Sequence, residues 1–154
     1  MRIFVLAAAA LALTAQAPAP IGGDASTHET THLTVTTSAT RHPDGRVSLV
    51  ASVTPKPTMH VYAPGQAGLI GVTMTLDAAP GVKGGALKYP DAEKREVAGE
   101  TELVYSQPFR ISDEITLRNA HAPAVITGTL RYQACVDVIC YLPTTVPLEW
   151  KIER

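Results

Sequence analysis

The stretch Arg46-Val47-Ser48-Leu49-Val50-Ala51-Ser52-Val53-Thr54 places Val47, Leu49, Ala51 and Val53 on one side and Ser48, Ser52 and Thr54 on the other. Successive strand side chains point to opposite faces, so this alternation predicts a half-buried β-strand. The same period of two recurs at Leu33 and Val35, at Val72, Met74 and Leu76, at Ile115 and Leu117, and at Val146, Leu148, Trp150 and Ile152. No window of a dozen residues keeps a 3.6-residue period without an interrupting Pro or Gly. Turn signals fall between the predicted strands at His42-Pro43-Asp44-Gly45, Ala63-Pro64-Gly65, Ala79-Pro80-Gly81 and Ala122-Pro123. Short strands at this spacing predict an all-β antiparallel sandwich or barrel of about seven to nine strands.

The chain has 154 residues, enough for one domain. Thirteen Lys and Arg against fourteen Asp and Glu leave no basic footprint for nucleic acid. Two cysteines are too few for a stapled miniprotein or a four-cysteine zinc site.

Residues Met1 to Ala17 begin with a single Arg, continue as an apolar run from Ile3 to Leu13, and end Ala15-Gln16-Ala17. That order predicts a secretory signal peptide over 1–17, because the run is too short to cross a bilayer. Residues 18–29, rich in Pro, Gly and small polar residues, are expected to be a flexible leader to a single domain over 30–154. Export would place the domain where disulfides persist.

The predicted strand Val125 to Cys135 leads into Val136-Asp137-Val138-Ile139 and then Cys140. Four residues between two extended segments make a hairpin-like loop that can bring its flanks to cross-strand distance. A disulfide needs α-carbons about 4.4–6.8 Å apart, which facing strand positions supply. A six-residue ring contributes only about 2 kcal/mol by loop closure, and a chain of this length buries enough surface to fold without it. The spacing alone leaves a structural bond, reversible redox chemistry and metal binding all open. Zinc would need two more ligands, and no His or Cys adjoins the pair. A copper site built on Met59 and His60 lies far away in sequence. With Asp137 inside the loop and Arg131 the nearest cation in sequence, thiols of ordinary acidity are expected.

Thr129-Leu130-Arg131-Tyr132-Gln133-Ala134-Cys135, followed by Cys140 and Pro143-Thr144-Thr145-Val146-Pro147-Leu148, resembles the N-terminal periplasmic domain of the thiol:disulfide interchange protein DsbD. Met59-His60-Val61-Tyr62-Ala63-Pro64-Gly65, Tyr89-Pro90 and Gly99 to Tyr105 fit in order. The resemblance implies an immunoglobulin-like sandwich in the periplasm, a reversible Cys135-Cys140 disulfide relaying reducing equivalents, and so a protein-disulfide reductase component without cofactor or metal. By position, Cys140 would form the mixed disulfide with partners and Cys135 would resolve it. A cap loop would fall near Glu96-Val97-Ala98-Gly99, and His60 and Tyr62 would flank the site. His60 is expected at the surface or rim rather than as a proton shuttle, and Tyr62 is expected either in that flanking role or as a plain half-buried strand aromatic. Trp150 and Tyr132 are expected in the core or on the strand surface. Because the chain ends at Arg154, its electron donor is expected to be a separate membrane-embedded or thioredoxin-like chain. The targets would be periplasmic disulfide-bearing proteins, and the domain is expected to be a monomer. The alternative is a non-catalytic immunoglobulin-like binding module whose hairpin disulfide is structural.

Overall fold

A computed structural model describes residues 21–22, 25–97, 99–118, 124–137 and 139–153. The expected signal peptide and the Ala122-Pro123 turn lie outside them. The described residues hold thirteen strand segments and no helix: β1 Ile21–Gly22, β2 Ser26–Glu29, β3 Leu33–Arg41, β4 Arg46–Pro55, β5 His60–Tyr62, β6 Thr73–Leu76, β7 Val82–Lys83, β8 Glu93–Val97, β9 Glu100–Tyr105, β10 Phe109–Leu117, β11 Val125–Tyr132, β12 Ala134–Cys135 and β13 Thr144–Lys151. No helix among them is long and apolar enough to cross a membrane.

All strand pairing is antiparallel and forms three sheets. The largest runs β1-β3-β4-β10-β7 with β2 also on β3, the second runs β13-β11-β6, and the third runs β12-β5-β9-β8. The strand count exceeds the expected seven to nine because several segments are only two or three residues long. The segment expected to be a flexible leader is a further difference. Ser26–Glu29 pairs with Thr34–Thr37 of β3, and Ile21–Gly22 pairs with Thr40–Arg41. Edge pairing is made by backbone groups, so this polar run joins the sheet without an apolar alternation to announce it.

The alternation at 46–54 has its predicted meaning. Val47, Leu49, Ala51 and Val53 are completely buried, and they meet Ile126, Leu130, Leu148 and Trp150 from the second sheet in one core. Filling such positions contributes about 1.5–3 kcal/mol for each large apolar side chain. Trp150 and Tyr132 are fully buried. Their polar ends are satisfied: the Trp150 indole N–H donates to the Val50 carbonyl at 2.9 Å, and the Tyr132 hydroxyl lies 3.0 Å from that of Thr30. Gly128 sits where a β-carbon would run into the Thr75 carbonyl, so β6 can approach β11 closely only with glycine there.

Gln133 separates β11 from β12. Before it, the chain pairs in the second sheet; after it, Ala134 and Cys135 pair with Val61 and His60 in the third. This corner carries the chain from the second sheet to the third just before the first cysteine.

Candidate functional site

Residues Cys135 to Cys140 form a tight hairpin. The Val136 amide donates to the Ile139 carbonyl at 2.9 Å, and the Tyr141 amide to the Ala134 carbonyl at 2.9 Å. Cys135 and Cys140 are therefore a facing pair without mutual backbone hydrogen bonds, the closest approach an antiparallel ladder offers. They form a disulfide with α-carbons 4.0 Å apart, just below the range expected from sequence. The two sulfurs have opposite surroundings. Cys135 is 1% exposed, whereas Cys140 is exposed and flanked by exposed Ile139, Tyr141 and Leu142.

The register of the third sheet explains how Cys135 becomes buried. Cys135 faces His60, Tyr62 faces Val104, Glu93 faces Val104 and Arg95 faces Glu102. With a period of two, these side chains share one face of the sheet. The opposite face contributes Val61, Leu103, Tyr105 and Ala134 to the main core. On the site face, Cys135, Tyr62 and Val104, with Leu69 against them, form a separate apolar cluster.

His60 and Tyr62 are 4% and 6% exposed. This corrects the rim position expected for His60 and, of the two alternatives for Tyr62, the half-buried strand aromatic. Every residue of β5 is buried because its two faces lie beneath different layers. The two rings meet edge-on with centroids 5.7 Å apart, and the Tyr62 hydroxyl lies 3.8 Å from Cys140 Sγ. Burial, and then the Arg95 charge, hold the His60 imidazole below its ordinary pKa. Burial, and then the Glu102 carboxylate on the same face of the sheet, push the Tyr62 phenol up.

Arg95 was not among the sequence candidates, yet it joins them. One guanidinium nitrogen lies 3.1 Å from His60 Nδ1, and the other donates to Asp137 Oδ1 at 2.6 Å. A guanidinium only donates, so Nδ1 accepts and the neutral ring carries its proton on Nε2. A salt bridge thus connects β8 with the disulfide hairpin, across the top of His60. Glu96 and Val97 lie at the end of β8, in a hairpin whose turn includes Gly99 at φ 85°. The Glu96 carboxylate accepts from the Thr101 hydroxyl at 2.6 Å. Among the described residues, neither Glu96 nor Val97 forms a hydrogen bond or ion pair with the cysteine hairpin, and Ala98 lies outside the description. Arg131, the nearest cation in sequence, is exposed on β11, where it faces Thr145 and Thr73.

Residues 25–149 match the family described as thiol:disulfide interchange protein DsbD, N-terminal. The chain belongs to this DsbD N-terminal family. The matched region contains the Cys135-Cys140 disulfide. Among solved structures, it is similar to the N-terminal periplasmic domain of ScsB from Proteus mirabilis. The TM-score is 0.64 at 16% identity over 87% of this chain, which spans about half (52%) of that one. It is also similar to the reduced DsbD N-terminal domain of Neisseria meningitidis, with TM-score 0.48 and 17% identity over 68% of this chain and 76% of that one. The GAE domain of GGA2p from Saccharomyces cerevisiae has TM-score 0.51 and 9% identity, over 82% of this chain and 96% of that one. No curated protein matches. The ScsB domain bears out the immunoglobulin-like β fold expected of a DsbD N-terminal domain.

Among the described residues, no group of three or more His, Cys, Asp or Glu side chains is arranged to hold a metal. In the DsbD N-terminal scaffold seen here, His60 Nδ1 is already engaged by Arg95.

Proposed function

We propose that this chain is a periplasmic interchange module that passes reducing equivalents to partner proteins through a reversible Cys135-Cys140 disulfide. The observation that carries this reading is the asymmetry of the pair: an open Cys140 ringed by apolar side chains, bonded to a sealed Cys135. To charge the module, a thiolate of a partner dithiol attacks Cys140 Sγ. The Cys135-Cys140 bond breaks and Cys135 leaves as a thiolate that takes up a proton. The partner's second thiolate then displaces Cys140, so the partner becomes a disulfide and the module a dithiol. Discharge to an oxidised target runs the same steps in reverse, with Cys140 attacking and Cys135 resolving.

Two further features support the reading. Cys135 belongs to a small cluster apart from the main core, so opening the bond leaves the sandwich's packing in place. Exposed Ile139, Tyr141 and Leu142 suit docking by a folded protein over reaction with free small thiols. We assign the donor to a membrane-embedded or thioredoxin-like chain, and the acceptors to disulfide-bearing proteins of the same compartment. Tyr62 and His60 support the pair from beneath, and the β8–β9 hairpin carrying Glu96 and Val97 is the cap.

The test uses the Cys135→Ser variant with Cys140 left free, mixed with an oxidised thioredoxin-like protein. A stable mixed disulfide is the expected product. If none forms, and the wild-type bond has a reduction potential well below about −300 mV, the disulfide is structural and the reading fails.

A further inference from the structure

We propose that Arg95 is a positioning residue for exchange at this disulfide: by neutralising Asp137 it keeps a carboxylate from opposing the negative charge that appears on Cys135. The proposal rests on the interchange reading above and assigns a role within that site.

The argument begins from where charge develops. When an attacking thiolate bonds to Cys140 Sγ, the electron pair of the Cys135-Cys140 bond leaves on Cys135. Cys135 is 1% exposed, so few water molecules are available to solvate that charge. Its immediate surroundings are apolar Tyr62, Val104 and Leu69. The ionisable groups facing the site are mostly acidic: Glu93 on β8, Glu102 on β9 and Asp137 two residues beyond Cys135. The neighbouring His60 imidazole is held below its ordinary pKa by burial and then by the guanidinium, so it is a poor source of positive charge. Arg95 is therefore the cation that the geometry places among these groups, and its closest ionic partner is the carboxylate nearest to Cys135 in sequence.

Without the guanidinium, the Asp137 carboxylate, two residues along the same hairpin from the leaving thiolate, would be uncompensated, and a nearby like charge opposes ionisation. Asp137 is 83% exposed, so solvent screens much of the effect. The leaving thiol's acidity affects the rate of exchange, so a raised pKa at Cys135 slows the step. A simple mechanical clamp makes a different prediction. Arg95 and Asp137 are two ends of one bond, so cutting either end would loosen the hairpin equally. The electrostatic role predicts opposite signs, because one cut removes a positive charge and the other a negative one.

The experiment follows reduction of the oxidised protein by dithiothreitol across neutral pH, trapping free thiols and counting them by mass. Arg95→Gln is expected to slow reduction roughly two- to fivefold. Asp137→Asn is expected to react at the wild-type rate or faster, and the double variant to regain the wild-type rate. Arg95→Lys should recover part of the loss, and high salt should shrink the differences as screening shortens to about 3 Å at 1 M. In the Cys140→Ala background, thiolate absorbance should titrate at higher pH with Arg95→Gln and at lower pH with Asp137→Asn. Equal slowing by both single variants, or no change with Arg95→Gln, overturns the proposal. The interchange reading fails separately, if the wild type reacts with dithiothreitol but with no thioredoxin-like dithiol.

Discussion

Cys135 and Cys140 face each other across one hairpin, 4.0 Å apart at their α-carbons, yet only Cys140 is open to solvent. Each cysteine left alone should therefore behave differently. In Cys135→Ser the free Cys140 is expected to label rapidly with a maleimide in native conditions and to trap partners. In Cys140→Ser the free Cys135 should label only as fast as the site opens locally. Comparable labelling rates would contradict the assignment of Cys140 as the contact sulfur.

Loss of the disulfide should leave the sandwich folded. A six-residue ring is worth about 2 kcal/mol, which corresponds to roughly 5–10 °C in Tm for a domain of this size. Calorimetry of the oxidised and reduced forms checks this. A much larger drop, with partner binding retained when both cysteines are replaced, is the outcome expected of a structural staple.

Leu142 is 86% exposed and next but one to Cys140. Leu142→Ser should alter stability by less than about 0.5 kcal/mol and leave the rate with dithiothreitol unchanged. Its kcat/KM with a thioredoxin-like protein should fall by about fivefold, the loss of about 1 kcal/mol of docking energy. An equal fall with both reductants would place its effect on the disulfide itself.

His60 should make stability depend on mildly acidic pH. Burial and Arg95 lower its folded pKa from 6.5, with Glu102, Asp137 and Glu93 opposing the shift. The unfolded chain then binds more protons, so this contribution is fully present above pH 6.5 and declines as pH falls from 6.5 toward the lower folded value. Protonation also removes the acceptor for the guanidinium. Thermal melts of wild type and His60→Gln over this interval should converge as pH falls, and parallel curves would exclude His60 as the source.

The strands that face the main core were legible in the sequence, because Val47 to Val53 and Val146 to Trp150 alternate between the core and the outside. The cysteine hairpin was equally legible, since it depends on neighbouring residues. The β8–β9 hairpin was not legible as strands, because Glu93-Lys94-Arg95-Glu96-Val97 carries four charges and no apolar face. Its outer strand is held by backbone pairing and side-chain bonds such as that from the Ser106 hydroxyl to Glu93, at 2.5 Å. Arg95 was missed for the same reason: it meets Asp137 across 42 residues of chain, a contact set by register between strands. The burial of His60 depends on layers contributed by distant segments, and no local pattern signals it. The strand at Ser26–Glu29 was hidden by its polar composition.

The corner at Gln133 separates two kinds of constraint on the sequence. On its core side, Leu130 and Tyr132 are locked into the packing, and a substitution there endangers the whole domain. Beyond it, Ile139 and Leu142 are mostly open to solvent, so they can be rewritten at little cost to folding, while Tyr141 keeps one side against the His32 ring, with centroids 4.4 Å apart. The chain is thus a frame with a replaceable contact strip. Altering a few positions around one sulfur is a route by which the same frame could be retargeted to a new exchange partner, in evolution or by design.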